Sequence, residues 1–205
     1  MGLDSTMTFF LASLLLALAP GPDNLFVITH SMLRGKQAGL AVVMGLCSGL
    51  LVHTSAVALG LAVIFQTSAW AFFLLKLAGA TYLVYLAWRA FTATAVPFSG
   101  EENLSEDFRY SYRRGIVMNV TNPKVTLFFL AFLPQFVEPA AGAVSLQVMV
   151  LGGVFIAATI LVFGSMAILA AKMAGLLKRS GAFQQWLNRL AGTVFLLLAA
   201  HLLVM

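Results

Sequence analysis

The chain has 205 residues, of which 61% are hydrophobic and 9% charged, with a formal charge of +5 and a mean hydropathy of +0.97. Soluble domains carry about 25% charged residues, so this composition excludes a water-clothed globular protein. The basic excess is laid out loop by loop as a topology signal, which leaves no concentrated nucleic-acid-binding face.

Apolar runs recur near residues 7–29, 39–64, 69–91, 115–137, 144–171 and 187–205, on the scale of the roughly 17–25 residues that cross a bilayer. None alternates apolar and polar residues as a barrel strand does, so each is expected to be a helix. The expected fold is an all-α integral membrane protein with six transmembrane helices. Ala17-Leu18-Ala19 in the first run has a small-x-small pattern, but only Asp4 is charged before it and Pro20 would follow the cut. The run is therefore expected to stay as a span and not to be removed as a signal peptide.

Span 1 is interrupted by Pro20-Gly21-Pro22-Asp23-Asn24. Each proline lacks an N–H and crowds the carbonyl four residues earlier, which frees the Leu16 and Leu18 carbonyls, and Gly21 permits a turn between them. A broken helix is tolerated in lipid only against protein or a wet cavity. An ionisable group such as Asp23 at mid-span costs about 2.5–3.5 kcal/mol, so a kink with an N-cap is a less complete account of it than a functional site. Span 2 carries Gly45, Gly49, His53, Ala56 and Gly60 at helical spacing, a small-residue face for close packing, with His53 turned into the bundle as a structural or substrate-contacting group. His30 falls near a helix end, where an interfacial position is expected. The lone Cys47 is expected to pack, not to pair. Span 3 contains Leu77-Ala78-Gly79-Ala80-Thr81-Tyr82-Leu83. A polar, mixed-charge stretch from Val96 to Arg114 follows and reads as a solvated linker.

Span 4 is interrupted by Asn119-Val120-Thr121-Asn122-Pro123-Lys124. Pro123 frees the Asn119 carbonyl, while Asn119 and Asn122 add polar side chains beside it. At 1.5 Å per residue, Lys124 lies roughly 15 Å and Asp23 roughly 10 Å from the same membrane face. Unlike charges at matched depth beside two helix breaks form a candidate substrate-binding or gating site, comprising Asp23, Asn24, Asn119, Asn122, Lys124 and His53. Pro20, Gly21, Pro22 and Pro123 make the breaks. The pair can also be read as a structural ion pair that docks two helices. Span 6 carries Leu190-Ala191-Gly192-Thr193-Val194-Phe195-Leu196, an echo of span 3.

Pro22 and Pro123 stand at corresponding places, as do Asp23 and Lys124. Three spans per half oblige the second copy to enter from the opposite side, which predicts two inverted-topology three-helix repeats with broken helices 1 and 4. The division is residues 1–95, a cytoplasmic linker at 96–114, and residues 115–205. No catalytic constellation, ATP-binding loop or metal-ligand cluster is present in the sequence, so no cofactor, metal or enzyme activity is expected.

Pro20-Gly21-Pro22-Asp23-Asn24-Leu25-Phe26-Val27, Leu77 to Leu83, Thr121-Asn122-Pro123-Lys124 and Leu133-Pro134-Gln135-Phe136 resemble the LysE/RhtB family of bacterial amino-acid exporters, and Gly45 through His53 is similar to its homoserine/threonine branch. The resemblance implies a multi-pass inner-membrane protein that exports small amino acids or their derivatives, driven by the proton-motive force. Lys124 suits the carboxylate of such a zwitterion. Asp23, the three asparagines and the freed carbonyls suit its ammonium. Asp23 is the first candidate to carry a coupling proton and His53 the reserve. The expected partners are the amino-acid substrate, the lipid bilayer and protons, with no nucleic acid; a homo-oligomer is allowed. The rival readings are a transporter of another solute or direction, and a membrane-embedded assembly factor or enzyme.

Ten Lys and Arg residues fall in the loops or at the span ends of one face and none on the other, Lys76 and Lys124 lying within spans. Positive-inside bias then puts Arg34, Lys36, Arg109, Arg113, Arg114, Lys178 and Arg179 in the cytoplasm and both termini outside. Reporter fusions at each loop check this. A cytoplasmic C-terminus would overturn it.

Overall fold

The computed structural model describes residues 2–19, 21–61, 69–92, 108–172 and 181–204. Pro20, most of the proposed linker, Lys178 and Arg179 lie outside them. Eight helices are described: α1 (Leu3–Leu18), α2 (Pro22–Arg34), α3 (Lys36–Ala56), α4 (Ala69–Thr92), α5 (Phe108–Val120), α6 (Pro123–Leu127), α7 (Val144–Lys172) and α8 (Gly181–Val204). No strand occurs among the described residues. Two helices, Lys36–Gly60 and Val144–Lys172, are each long and apolar enough to cross a membrane; counting each bent pair as one span raises the number to four.

Proline sets both bends. Pro22 and Pro123 each occupy the first helical position, after Gly21 and Asn122 as N-caps, where the missing N–H would lack a partner anyway. The axes diverge by 61° between α1 and α2 and by 49° between α5 and the segment Pro123–Phe136. The chain beyond α6 tightens through a π-helical turn, Phe128–Phe132, and a 3₁₀ turn, Leu133–Phe136. These turns were not foreseen from the apolar run, which has no polar residue between Leu127 and Leu133 to mark them.

Helix α3 lies along α5 and α7, α2 packs on α3 and α7, α1 on α7, and α4 on α8. Glycines permit the closest of these approaches. A Cβ on Gly45 would stand 2.9 Å from the Gly115 Cα and closer still to the Tyr112 carbonyl, and one on Gly49 would meet the Asn119 side chain at 2.7 Å. The small face of α3 is therefore an α5-docking face. Gly60 does not belong to it: no atom lies within 4 Å of its Cβ position, and its φ of 109° ends the π-helical turn Val57–Leu61. Its role is conformational, since this region of φ favours glycine.

The same contact occurs in both copies of the echoed motif. A Cβ on Gly79 of α4 would stand 3.1 Å from the Leu202 side chain on α8, and one on Gly192 of α8 would stand 2.6 Å from the Phe91 ring on α4. Apolar packing forms two clusters. The larger joins Phe9, Phe128, Phe129, Phe132, Phe136 and Phe155, with rings such as Phe128–Phe132 4.8 Å apart. The smaller holds Val27, Val42, Leu46, Val162 and Phe163. Leucines at 11, 15, 18, 51, 74, 161 and 197 point outward, as a lipid-facing surface requires.

Gly45→Ala should lower stability by about 1–3 kcal/mol, because a backbone approach cannot yield as a side chain can. Gly153→Ala, with nothing within 4 Å of the added methyl, should be neutral or stabilising. Thermal unfolding of both variants in detergent checks the contrast.

Candidate functional site

The last turn of α1 ends at Leu18 without a basic residue of its own. A helix end leaves its final carbonyls without intrahelical donors, and in this buried position three of them are met from elsewhere. The Lys124 ammonium donates to Leu16 O at 3.2 Å and to Ala19 O at 3.1 Å. The Asn24 carboxamide donates to Ala17 O at 2.7 Å. Lys124, on α6, is thus a C-terminal cap for α1 supplied by the other half of the chain, and it also lies 5.9 Å from the Phe195 ring centre. Release of Leu16 O agrees with the expectation from Pro20. The helix stops before Pro22 could release Leu18, so the other engaged carbonyls are Ala17 and Ala19.

Asp23 and Lys124 are both buried, 3% and 4% exposed, and both line one small cavity. They do not touch: no charge-to-charge contact of salt-bridge length joins these two described residues. Asn122 bonds to both residues, to the side chain of one and the backbone of the other. Its Nδ2 donates to Asp23 Oδ2 at 2.7 Å, while its Oδ1 accepts from the Lys124 backbone N–H at 3.0 Å and so caps α6. The Asn122 side chain, and not an ion pair, thus links α2 to the start of α6, and the Lys124 ammonium takes no part in that link.

Helix α3 completes the far wall. His53 Nε2 lies 3.2 Å from Asn119 O, the carbonyl that also accepts from Asn122 N–H at 3.0 Å. The release attributed to Pro123 is therefore used by a histidine and a turn. His53 is half-buried and packs against Phe129, and it does not line the cavity itself. Gly21 has an additional steric role: a Cβ there would stand 3.2 Å from the Lys124 Nζ.

The structure thus brings together Gly21, Pro22, Asp23, Asn24, Asn119, Asn122, Pro123, Lys124 and His53. The cavity, of about 10 Å³, is lined by Asp23, Asn119, Lys124 and Thr159 among apolar neighbours that include Leu46 and Phe155. Ligand pockets usually reach about 300–1,000 Å³, so this arrangement is closed around its polar centre. Two features escaped sequence reasoning. Thr159 is the single threonine in the 29-residue α7, and its isolation in an apolar run was the available signal. His30 is buried, not interfacial, within 2.8 Å of Ser111 Oγ and stacked on Phe26; the bend that carries α2 inward accounts for the difference.

The family model of the LysE type translocator matches residues 14–205. The chain belongs to the LysE type translocators. It is 34% identical over 197 residues, 95% of this chain and 93% of the relative, to the homoserine/homoserine lactone efflux protein of Salmonella typhimurium. It is 29% identical over 145 residues, 65% of this chain and 64% of the relative, to the leucine efflux protein of Salmonella choleraesuis. An uncharacterized membrane protein of Vibrio cholerae is 31% identical over 193 residues, 93% of this chain and 92% of the relative. No solved structure matches. This translocator is a multi-pass bacterial membrane protein, and its family is one of transporters and not of enzymes.

Asn122→Asp should set two carboxylates against each other where a 2.7 Å hydrogen bond now stands, and should sharply reduce folded protein in detergent. Adding Asp23→Asn restores one donor and one carboxylate with the order reversed. The double variant should recover most of the folded yield in size-exclusion chromatography. Equal yields from single and double variants would contradict the Asn122–Asp23 link.

Proposed function

We propose that this translocator exports a small neutral amino acid or a close derivative, of the homoserine/threonine type, across the bacterial inner membrane. The observation that carries the reading is the meeting of two helix breaks around a buried carboxylate and a buried ammonium that do not neutralise each other directly. Both named solutes of the Salmonella typhimurium relative bear an α-amino group, and homoserine also bears a carboxylate. Asp23 and Lys124 offer opposite charges to such a solute. The helix breaks add polar backbone beside them.

The six-span reading counts α1–α2, α3 with its π turn, α4, α5–α6, α7 and α8. Helices α4 and α8 have 24 residues each, about 36 Å at 1.5 Å per residue, against a hydrocarbon core of about 30 Å. Two inverted three-helix repeats, 1–95 and 115–205 joined by the 96–114 linker, are supported by the corresponding Pro22 and Pro123 positions and by the reciprocal Gly79 and Gly192 contacts. Rocking of one repeat against the other would alternate access to the site. In the closed arrangement Lys124 is held by α1 carbonyls. A substrate carboxylate competes for it and draws it away, which loosens the α1–α6 contact that keeps the site shut. Export is driven by the proton-motive force, with Asp23 as the proton carrier and His53 as the reserve.

Flux into liposomes containing only this protein tests the reading. Counterflow of labelled homoserine, threonine and leucine should be specific and saturable. Asp23→Asn and Lys124→Met should each abolish gradient-driven uptake into inverted vesicles, with the protein still inserted. Residual counterflow in Asp23→Asn would confine that residue to proton coupling. Gradient-driven transport at wild-type rates in either variant would reject the assigned site, and absence of any amino-acid flux would reject the function.

A further inference from the structure

We propose that Thr159, with Asp23 and Asn119, forms the subsite that receives the positively charged amino group of the transported solute. The inference rests on the exporter reading above and assigns a chemical role to a residue outside the family-resembling motifs.

Three oxygens without a hydrogen-bond partner, Asp23 Oδ1, Asn119 Oδ1 and Thr159 Oγ1, belong to residues that line the same cavity. They come from three helices, α2, α5 and α7, and the residues are only 3%, 3% and 2% exposed. Buried polar atoms are nearly always paired, so three unpaired oxygens on residues that line one cavity point to a place for a donor. Thr159 departs from its neighbours in another way. The hydroxyls of Thr54, Thr92, Thr121, Thr126 and Thr193 each bond back to the carbonyl four residues earlier, the usual resting place for a helical threonine. The Thr159 hydroxyl makes no such bond.

The character of the three oxygens selects the ligand. A carboxylate and a carboxamide oxygen accept only, and a hydroxyl can accept. An alkylammonium brings three N–H donors and a positive charge, and no acceptor. A carboxylate brings acceptors only and would leave all three oxygens unmet. Lys124 lines the same cavity, but its ammonium donates to Leu16 O and Ala19 O, so its N–H groups do not meet these oxygens. The cavity of about 10 Å³ matches a single small group, about one water in size. The remainder of the solute needs the helices to part. An alkali cation shares the charge but not the donors and is the other source of a positive ligand.

The test compares wild type, Thr159→Val and Thr159→Ser in liposomes and in detergent, with L-homoserine, L-homoserine lactone and γ-butyrolactone as probes, the last being the lactone without its amino group. Thr159→Val keeps the shape and removes the hydroxyl. Its thermal midpoint without solute should equal or exceed that of the wild type, because no hydrogen bond is lost. Its KM for L-homoserine and for the lactone should rise about tenfold or more, as expected for a lost hydrogen bond to a charged group, and solute-induced thermal stabilisation should shrink. Thr159→Ser should stay near wild type, and γ-butyrolactone should be neither carried nor stabilising. An unchanged KM in Thr159→Val, transport of γ-butyrolactone comparable to its amino counterpart, or a Thr159→Val protein that fails to fold would each overturn the subsite while leaving the exporter reading in place. Stabilisation by sodium chloride over choline chloride that disappears in Thr159→Val, with solute KM unchanged, would reassign the oxygens to an alkali cation. Absence of amino-acid flux in the wild type would overturn the exporter reading and this subsite with it.

Discussion

A helix that ends inside a membrane protein must find donors for its last carbonyls without help from bulk water, and the end of α1 is where this chain meets that demand. The partner is Lys124, brought from α6 to Leu16 O and Ala19 O. Three features follow from this contact. Gly21 leaves room for the ammonium, because a Cβ there would stand 3.2 Å from Nζ. The lysine can be buried at all because the negative end of the α1 dipole receives it. The chain's two halves are joined by backbone-to-side-chain bonds at the depth where they both break.

The charges themselves are held apart. A buried ion is penalised by several kcal/mol after relaxation, and a direct ion pair recovers that only with favourable geometry. Here the recovery is divided: Asp23 accepts one Asn122 N–H, and Lys124 donates to two carbonyls. On the proposed function this division matters. A tight Asp–Lys pair would have to be broken before either group could meet a solute, whereas single neutral-partner hydrogen bonds, each worth about 1.5–3 kcal/mol to a charged group, can be exchanged for bonds of the same kind to the solute.

Much of this centre was legible because proline, glycine and charge are conspicuous in apolar runs. Pro22 and Pro123 marked both bends, and Gly45 and Gly49 marked the α3 face that α5 approaches. What was hidden depended on three-dimensional placement. That Asp23 is met by the Asn122 amide and Lys124 by carbonyls at the end of α1 depends on where the side chains project, which spacing does not reveal. Gly60 has the spacing of the small face, yet a π turn carries it out of register. His30 lies at a span end in sequence but is folded inward by the bend that precedes it. Thr159 carries no motif, and its significance comes only from the absence of the back-bond that a helical threonine ordinarily makes.

The two halves use one local plan with different residues at two positions. Each second half-helix begins with an N-cap, a proline at the first position and a charged residue at the second: Gly21-Pro22-Asp23 for α2 and Asn122-Pro123-Lys124 for α6. Asp23 suits the positive N-terminal end of its own helix, but Lys124 opposes the end of α6 on which it sits. Folding of α6 alone would favour an acidic residue there. The lysine is accommodated only because α1 offers its carbonyls, and the asparagine N-cap offsets part of the local penalty by capping the helix itself while its amide reaches Asp23. Two helix breaks of similar plan thereby acquire a negative and a positive pole at corresponding places, which on the proposed function is the charge pattern that a zwitterion presents in reverse.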